Sequence, residues 1–161
     1  MKVFLSLGSN SGKRKILLQN AVESINKLKE TKVLRSSSIY ETEPWGNKNL
    51  DLFLNQVIMI DTKLGCIELL RQCQKIEEKF GRVRKNKKWQ ARTLDIDILI
   101  CDDQEICIKN LQVPHPLLMK RMFVLEPLSE LDPDLVIPGQ NKNITEIIKE
   151  CNDKSKVQLY K

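Results

Sequence analysis

The sequence predicts an α+β fold, a mainly antiparallel sheet with helices packed on it. Strand-like runs and amphipathic helical patterns alternate so that a strand–helix–strand unit occurs twice in succession. A strictly alternating segment at 94–100 supplies one well-defined sheet strand. The chain has 161 residues, 41% hydrophobic and 30% charged, a composition that can bury a full core without staples. Residues 1–161 are therefore expected to form a single domain.

Residues 2–7 are a short apolar run that reads as a strand. The turn Gly8-Ser9-Asn10-Ser11-Gly12 leads into a helix with Ile16, Leu17, Val22, Ile25 and Leu28 at helical spacing and Ala21 beside them. Stretches 32–41 and 53–61 carry Val33, Ile39 and Tyr40, then Val57, Ile58 and Ile60, types that suit a pleated surface. Between them, Glu43-Pro44-Trp45-Gly46-Asn47-Lys48-Asn49 is turn-rich and places a tryptophan in a loop. A second helix presents Ile67, Leu70, Cys73, Ile76 and Phe80 on one face, and Gly81 stops it. At 94–100, Leu94, Ile96, Ile98 and Ile100 alternate with Asp95, Asp97 and Leu99. Asp102-Asp103 then turns the chain toward a partner strand near Ile106 and Ile108. Residues 117–126 read as a helix ended by Pro127, and a last helix starts at Asn143 with Glu146 placed for a capping box. The order resembles the ferredoxin arrangement, an α/β sandwich.

The net charge is +6, from 27 bases against 21 acids. Six of those bases, Arg82, Arg84, Lys85, Lys87, Lys88 and Arg92, stand in one acid-free segment. Without them the chain is balanced, so the excess reads as a focused anion site and not a diffuse nucleic-acid surface. No stretch approaches the roughly 18 apolar residues of a membrane span. The opening run is too short for a signal-peptide core. The five cysteines contain no Cys-x-x-Cys pair, which suits structural thiols in a reducing compartment. A cytoplasmic protein is expected.

Asp95 and Asp97 emerge on the same face of their strand, with Cα atoms roughly 6.5 Å apart. The branched apolar residues commit the opposite face to the core, so the carboxylates face a cleft or solvent. Two acids this close repel unless a cation lies between them. Hard oxygen ligands favour magnesium, and the spacing suits a two-metal phosphoryl-transfer site. A solvated strand face is the plain alternative. Arg92 and the basic run leading into the pair favour a clamp on a polyphosphate. No Gly-x-x-x-x-Gly-Lys-Ser/Thr loop is present. Two competitors remain: a two-metal nuclease, and a nucleic-acid-binding module on a ferredoxin-like sheet. Against the latter, aromatics are only 5% of residues and the aspartates would repel phosphate.

Several segments together resemble 6-hydroxymethyl-7,8-dihydropterin pyrophosphokinases of folate biosynthesis. They are Leu7-Gly8-Ser9-Asn10, Tyr40-Glu41-Thr42-Glu43-Pro44, Phe53-Leu54-Asn55, Gly81-Arg82-Val83-Arg84, Arg92-Thr93-Leu94-Asp95-Ile96-Asp97, Val113-Pro114-His115-Pro116, and Arg121 with Phe123-Val124-Leu125. The resemblance implies transfer of pyrophosphate from ATP to the pterin hydroxymethyl group, releasing AMP. It implies two Mg2+ ions on Asp95 and Asp97, with Arg82 and Arg92 as the catalytic cations. It places Gln74, Glu77, Arg84, Trp89, Arg92, Ile98, His115 and Arg121 at ATP. It places Thr42, Pro44, Trp45, Phe53, Asn55 and Phe123 at the pterin. Its partners are small-molecule substrates, with neither nucleic acid nor membrane, and the chain is expected to act as a monomer. Leu50, Gln90 and Asn110 depart from the family pattern and inherit no role.

Overall fold

A computed structural model describes residues 1–45, 49–82 and 91–161. The central strand β1 (Lys2–Ser9) lies between its neighbours on both sides and is buried at every position after Lys2. Its side chains serve two layers: Val3, Leu5 and Leu7 join one core cluster, and Phe4 joins the other. A strand covered on both faces needs no polar alternation, which is why 2–7 reads as a continuous apolar run. Helix α1 (Arg14–Asn26) follows, and then β2 (Thr31–Ser36) and β3 (Tyr40–Thr42). Next come β4 (Phe53–Thr62), α2 (Cys66–Lys79) and β5 (Asp95–Cys101). With β2 and β3 taken as one interrupted strand, the antiparallel order β5-β1-β4-β3 is the expected βαββαβ sandwich.

The expected helix faces hold except near the start of each helix. In α1 the buried residues are Leu18, Ala21 and Ile25, while Ile16 is 49% exposed. Ile16 lies two residues from Leu18, more than half a helical turn, so both cannot face the sheet. In α2, Leu69 replaces Ile67 on the buried face for the same reason, and Ile67 is 51% exposed. The stretch 32–41 is also broken. Ser37 sits between β2 and β3, where its hydroxyl accepts the Val57 N–H at 3.0 Å and stands in for a strand carbonyl.

In β5 the alternation holds only as far as Ile98. Leu5 pairs with Ile98 and Phe4 with Ile100, so Leu99 is an inserted bulge residue. The bulge moves Ile100 to the opposite layer from Ile96 and Ile98. The expected partner strand does not pair with β5. Instead β6 (Ile106–Ile108) folds onto β7 (Leu111–Val113) as a separate ribbon. One edge of β5 is taken by β1, and on the other Leu99 O accepts the His115 N–H at 2.9 Å. After a 3-10 turn at Leu118–Lys120, helix α3 runs Met122–Leu131 and continues through Pro127. The proline removes one helical bond, and burial of Val124, Leu125, Leu128 and Leu131 on both sides of it offsets that loss. Helix α4 (Ile144–Glu150) starts with the expected capping box between Asn143 and Glu146. A short strand, β8 (Val157–Leu159), then pairs with β3.

Helices α1 and α2 cover one face of the sheet, and α3 and α4 cover part of the other. The second cover stops at Phe4, Val57 and Leu99. Beyond it the same face stays open, and there β1, β4 and β5 carry Ser6, Gly8, Asn55, Asp95 and Asp97. Among the described residues no helix is long and apolar enough to cross a membrane.

Candidate active site

The register of the sheet assembles the site. Gly8 pairs with Asp95 on one side and Asn55 on the other, and Ser6 pairs with Asp97. Across β3, Thr42 faces Phe53 and Tyr40 faces Asn55. Because side chains two apart share a face, these strands aim polar groups into one cleft. The cleft, counted with the open solvent at its mouth, has an empty volume of about 580 Å3. Thr42, Trp45, Phe53, Asn55, Arg92, Asp95, Asp97, Arg121 and Phe123 all line it. Ser6, Gly8, Glu43 and Leu50 complete the wall.

Asp95 and Asp97 differ sharply in environment. Burial would raise the Asp95 pKa, but the Arg92 and Arg82 guanidiniums beside it outweigh burial and hold it below the usual carboxylate range. Arg82 Nη1 donates to both Asp95 and Glu77, and Arg92 Nη1 donates to Asp95. The Asp97 carboxylate accepts no hydrogen bond among the described residues. Burial, then the Asp95 carboxylate, push its pKa up to about 7, with Arg121 opposing. Among the described residues, the arginines beside the pair therefore donate to Asp95 and none donates to Asp97.

Local structure explains why the arginines stand there. α2 ends in a Schellman motif: Arg82 N donates to Glu77 O, Gly81 N donates to Glu78 O, and Gly81 takes φ +84°. That turn returns Arg82 to its own helix, where Glu77 is 1% exposed and its Oε1 also accepts the Ile96 N–H at 2.8 Å. Arg92 is held by the residue that follows β1. Asn10 N donates to Arg92 O at 3.1 Å, and Asn10 Oδ1 accepts the Arg92 N–H at 2.7 Å. Asn10 Nδ2 also reaches Asp51 O at 3.3 Å, so one buried amide ties both loops flanking the cleft.

The other half of the cleft is aromatic. The Arg121 guanidinium lies 5.0 Å from the Trp45 ring centre and 5.6 Å from that of Phe123. Its buried Nε has no hydrogen-bond partner among the described residues. Asn55 Nδ2 donates to Thr42 Oγ1 at 2.6 Å. A Cβ at Gly8 would stand 3.0 Å from Asn55 Oδ1, so glycine there makes room for the amide.

The remaining expected residues lie around this centre. Pro44 is buried beside Thr42, and Gln74 is half-buried on α2. The Ile98 side chain is 3% exposed and belongs to the core on the opposite face from Asp97. His115 Nδ1 accepts the Leu117 N–H at 3.1 Å, which leaves Nε2 as the donor. Burial, with Arg121 nearby, lowers its pKa to about 4, so the ring is neutral. Arg84 and Trp89, with the lysines at 85, 87 and 88, lie outside the described residues. Ser6 and Leu50 line the cleft and Asn10 holds Arg92, although the sequence patterns assign these three no role. The signal for Ser6 and Gly8 was present as two small residues at i and i+2 on an otherwise apolar strand.

Residues 4–133 match the family model of 7,8-dihydro-6-hydroxymethylpterin-pyrophosphokinase. The chain is 40% identical over 139 residues to the 2-amino-4-hydroxy-6-hydroxymethyldihydropteridine pyrophosphokinase of Methylorubrum extorquens, covering 86% of this chain and 87% of that one. It is 37% identical over 150 residues to the protein of the same name from Pseudomonas aeruginosa, covering 93% and 91%. The fold resembles the crystal structure of Plasmodium falciparum HPPK-DHPS with pteroate, at a TM-score of 0.75 and 16% identity. That alignment covers 92% of this chain but only 42% of the longer one. The family match runs through every element of the cleft up to α3. The chain accordingly belongs to the 7,8-dihydro-6-hydroxymethylpterin-pyrophosphokinase family, enzymes that transfer a pyrophosphoryl group to hydroxymethyldihydropterin in folate biosynthesis.

Proposed function

We propose that the donor is ATP and that Asp95 and Asp97 hold Mg2+ at the triphosphate. The observation that carries this is the charge arrangement: among the described residues the Asp97 carboxylate has no ion-pair partner, and it lines one cleft with Arg92 and Arg121. The donor set fits the metal, since it is made of carboxylate oxygens with space for water. When bound, Mg2+ would neutralise phosphate charge and orient the chain of phosphates. The arginines supply the rest of the positive field. Arg92, which donates to Asp95 through Nη1 and lines the cleft, would be placed to meet a phosphate there. Arg121 offers its Nε, unpartnered among the described residues. Arg82 stays tethered to Glu77, so Glu77 acts by holding Arg82 as well as facing the nucleotide side. His115 serves as a neutral donor through Nε2. Gln74, Arg84 and Trp89 complete the proposed ATP contacts, and Ile98, whose side chain is in the core, would contribute its backbone alone.

The dihydropterin would stack between Phe53 and Phe123. Asn55, Thr42 and the backbone near Pro44 and Trp45 would read its donor and acceptor edge. The hydroxymethyl oxygen attacks the β-phosphorus, the bond to the α,β-bridging oxygen breaks, AMP leaves and the hydroxyl proton is released. A single domain over residues 1–161 acting as a monomer is part of this reading. Five free thiols support a reducing cytoplasm. The test is product identity: protein, ATP, Mg2+ and 6-hydroxymethyl-7,8-dihydropterin should give AMP in step with diphosphorylated pterin. ADP as the nucleotide product would refute the assignment.

A further inference from the structure

The segment after α4 lies beyond residues 4–133 of the family match, and none of the roles above uses it. It nevertheless touches both walls of the aromatic half of the cleft. On one side, β8 pairs with β3 so that Val157 faces Thr42, and Lys156 O accepts the Glu43 N–H at 3.4 Å. On the other, Asp153 Oδ2 accepts the backbone N–H of Met122 at 2.9 Å, across 31 residues of sequence.

Met122 opens α3, and its N-cap residue Arg121 makes no side-chain capping bond. The first N–H groups of a helix have no partner within the helix, and a side-chain oxygen normally satisfies one of them. Asp153 provides that oxygen from a distant segment and adds a negative charge at the positive end of the helix. The carboxylate is itself oriented, since Ser155 N and Oγ both donate to Oδ1, at 2.9 and 2.5 Å. Burial works against its charge, but these hydrogen bonds outweigh burial and keep its pKa below the ordinary value. The peptide it grips lies between Arg121 and Phe123, both of which line the cleft.

We propose that Asp153 is a positioning residue for the dihydropterin. By capping α3 from the C-terminal segment, it sets Arg121 and Phe123 at their distance from the β3 wall. This rests on the assignment of Phe123 to the pterin. The test is steady-state kinetics and thermal unfolding of full-length Asp153→Ala, Asp153→Asn and Phe123→Ala. Asp153→Ala should raise the dihydropterin KM roughly tenfold, the effect of a lost helix cap, and change kcat less than about threefold. Asp153→Asn retains an acceptor for Met122 and should return KM to within about twofold of the parent. A merely structural role would lower the melting temperature and the active fraction without moving KM. If Asp153→Ala leaves KM unchanged while Phe123→Ala raises it, the proposal is overturned and the pterin assignment stands. If Phe123→Ala also leaves KM unchanged, the pterin assignment fails and the proposal with it. An Asp153→Asn variant as impaired as Asp153→Ala overturns it as well. Should Asp153→Ala not fold, Ser155→Ala loosens the same carboxylate and should raise KM about threefold; an unchanged KM would overturn the proposal.

Discussion

Replacing Asp97 with asparagine should stabilise the metal-free protein at alkaline pH while abolishing turnover. The Asp97 carboxyl has its pKa raised from 3.8 to about 7, by burial and by the neighbouring Asp95. The folded state therefore binds a proton that the unfolded state has released, between about pH 4 and 7. Stability contributed by the neutral acid is complete below the unfolded pKa and is lost as pH rises through the folded one. At about 1.4 kcal/mol per unit the full shift corresponds to roughly 4 kcal/mol, and the open side of the cleft reduces this to about 2 kcal/mol. Asparagine carries no such penalty. For a chain of this length the Asp97→Asn variant should thus gain about 4–8 °C in Tm relative to the parent on going from pH 4.5 to pH 8. Any pH-independent effect of the amide cancels in that comparison. Mg2+ should narrow the gap at pH 8 by stabilising the parent and not the variant. Differential scanning calorimetry without and with Mg2+ makes the measurement. A Tm difference that stays constant from pH 4.5 to pH 8 would refute the reasoning, because the carboxyl would then carry no raised pKa.

Asn10→Ala strips the Arg92 N–H of its side-chain acceptor and frees Asp51 O; an unsatisfied buried donor costs about 1–3 kcal/mol, so kcat/KM should fall roughly tenfold or more by coupled AMP assay. Asn10→Asp keeps the Arg92 contact and should recover part of that loss. Gly8→Ala places a Cβ 3.0 Å from Asn55 Oδ1 and must push the amide aside. The dihydropterin KM should rise at least about fivefold, in line with a misdirected hydrogen bond of about 1 kcal/mol, with Tm nearly unchanged. His115 has its pKa lowered to about 4 from 6.5. Its neutral form contributes stability above pH 6.5 that is lost as pH falls toward 4, so His115→Asn should gain on the parent by about 1–2 kcal/mol over that interval. Chemical denaturation at both pH values measures it.

The carboxylate pair and the basic run were legible because strand periodicity is local. Residues at i and i+2 share a face whatever the rest of the chain does, so Asp95 and Asp97 could be placed together. The helix faces were less secure. In α1 an apolar stripe through Ile16 and one through Leu18 are both locally acceptable, and only packing against the sheet selects Leu18. Bulges and breaks escaped for a related reason. Leu99 is inserted because β1 pairs Phe4 with Ile100, and Ser37 interrupts a strand because its hydroxyl serves Val57 on β4.

By itself the sequence determined the fold class, the family and the acidic and basic ingredients of the site, all of which rest on residue types at short spacing. It also showed that the positive charge is concentrated in one segment beside the aspartates. Tertiary structure alone decided which aspartate takes the arginines. Arg82 is returned by the α2 terminus and Arg92 is held by Asn10, so among the described residues both donate to Asp95 and neither donates to Asp97. It alone brought Asp153 under α3 and Val157 beside Thr42, contacts that join residues 31 and more positions apart. Such contacts leave no periodic trace, because their partners share space without sharing a stretch of chain.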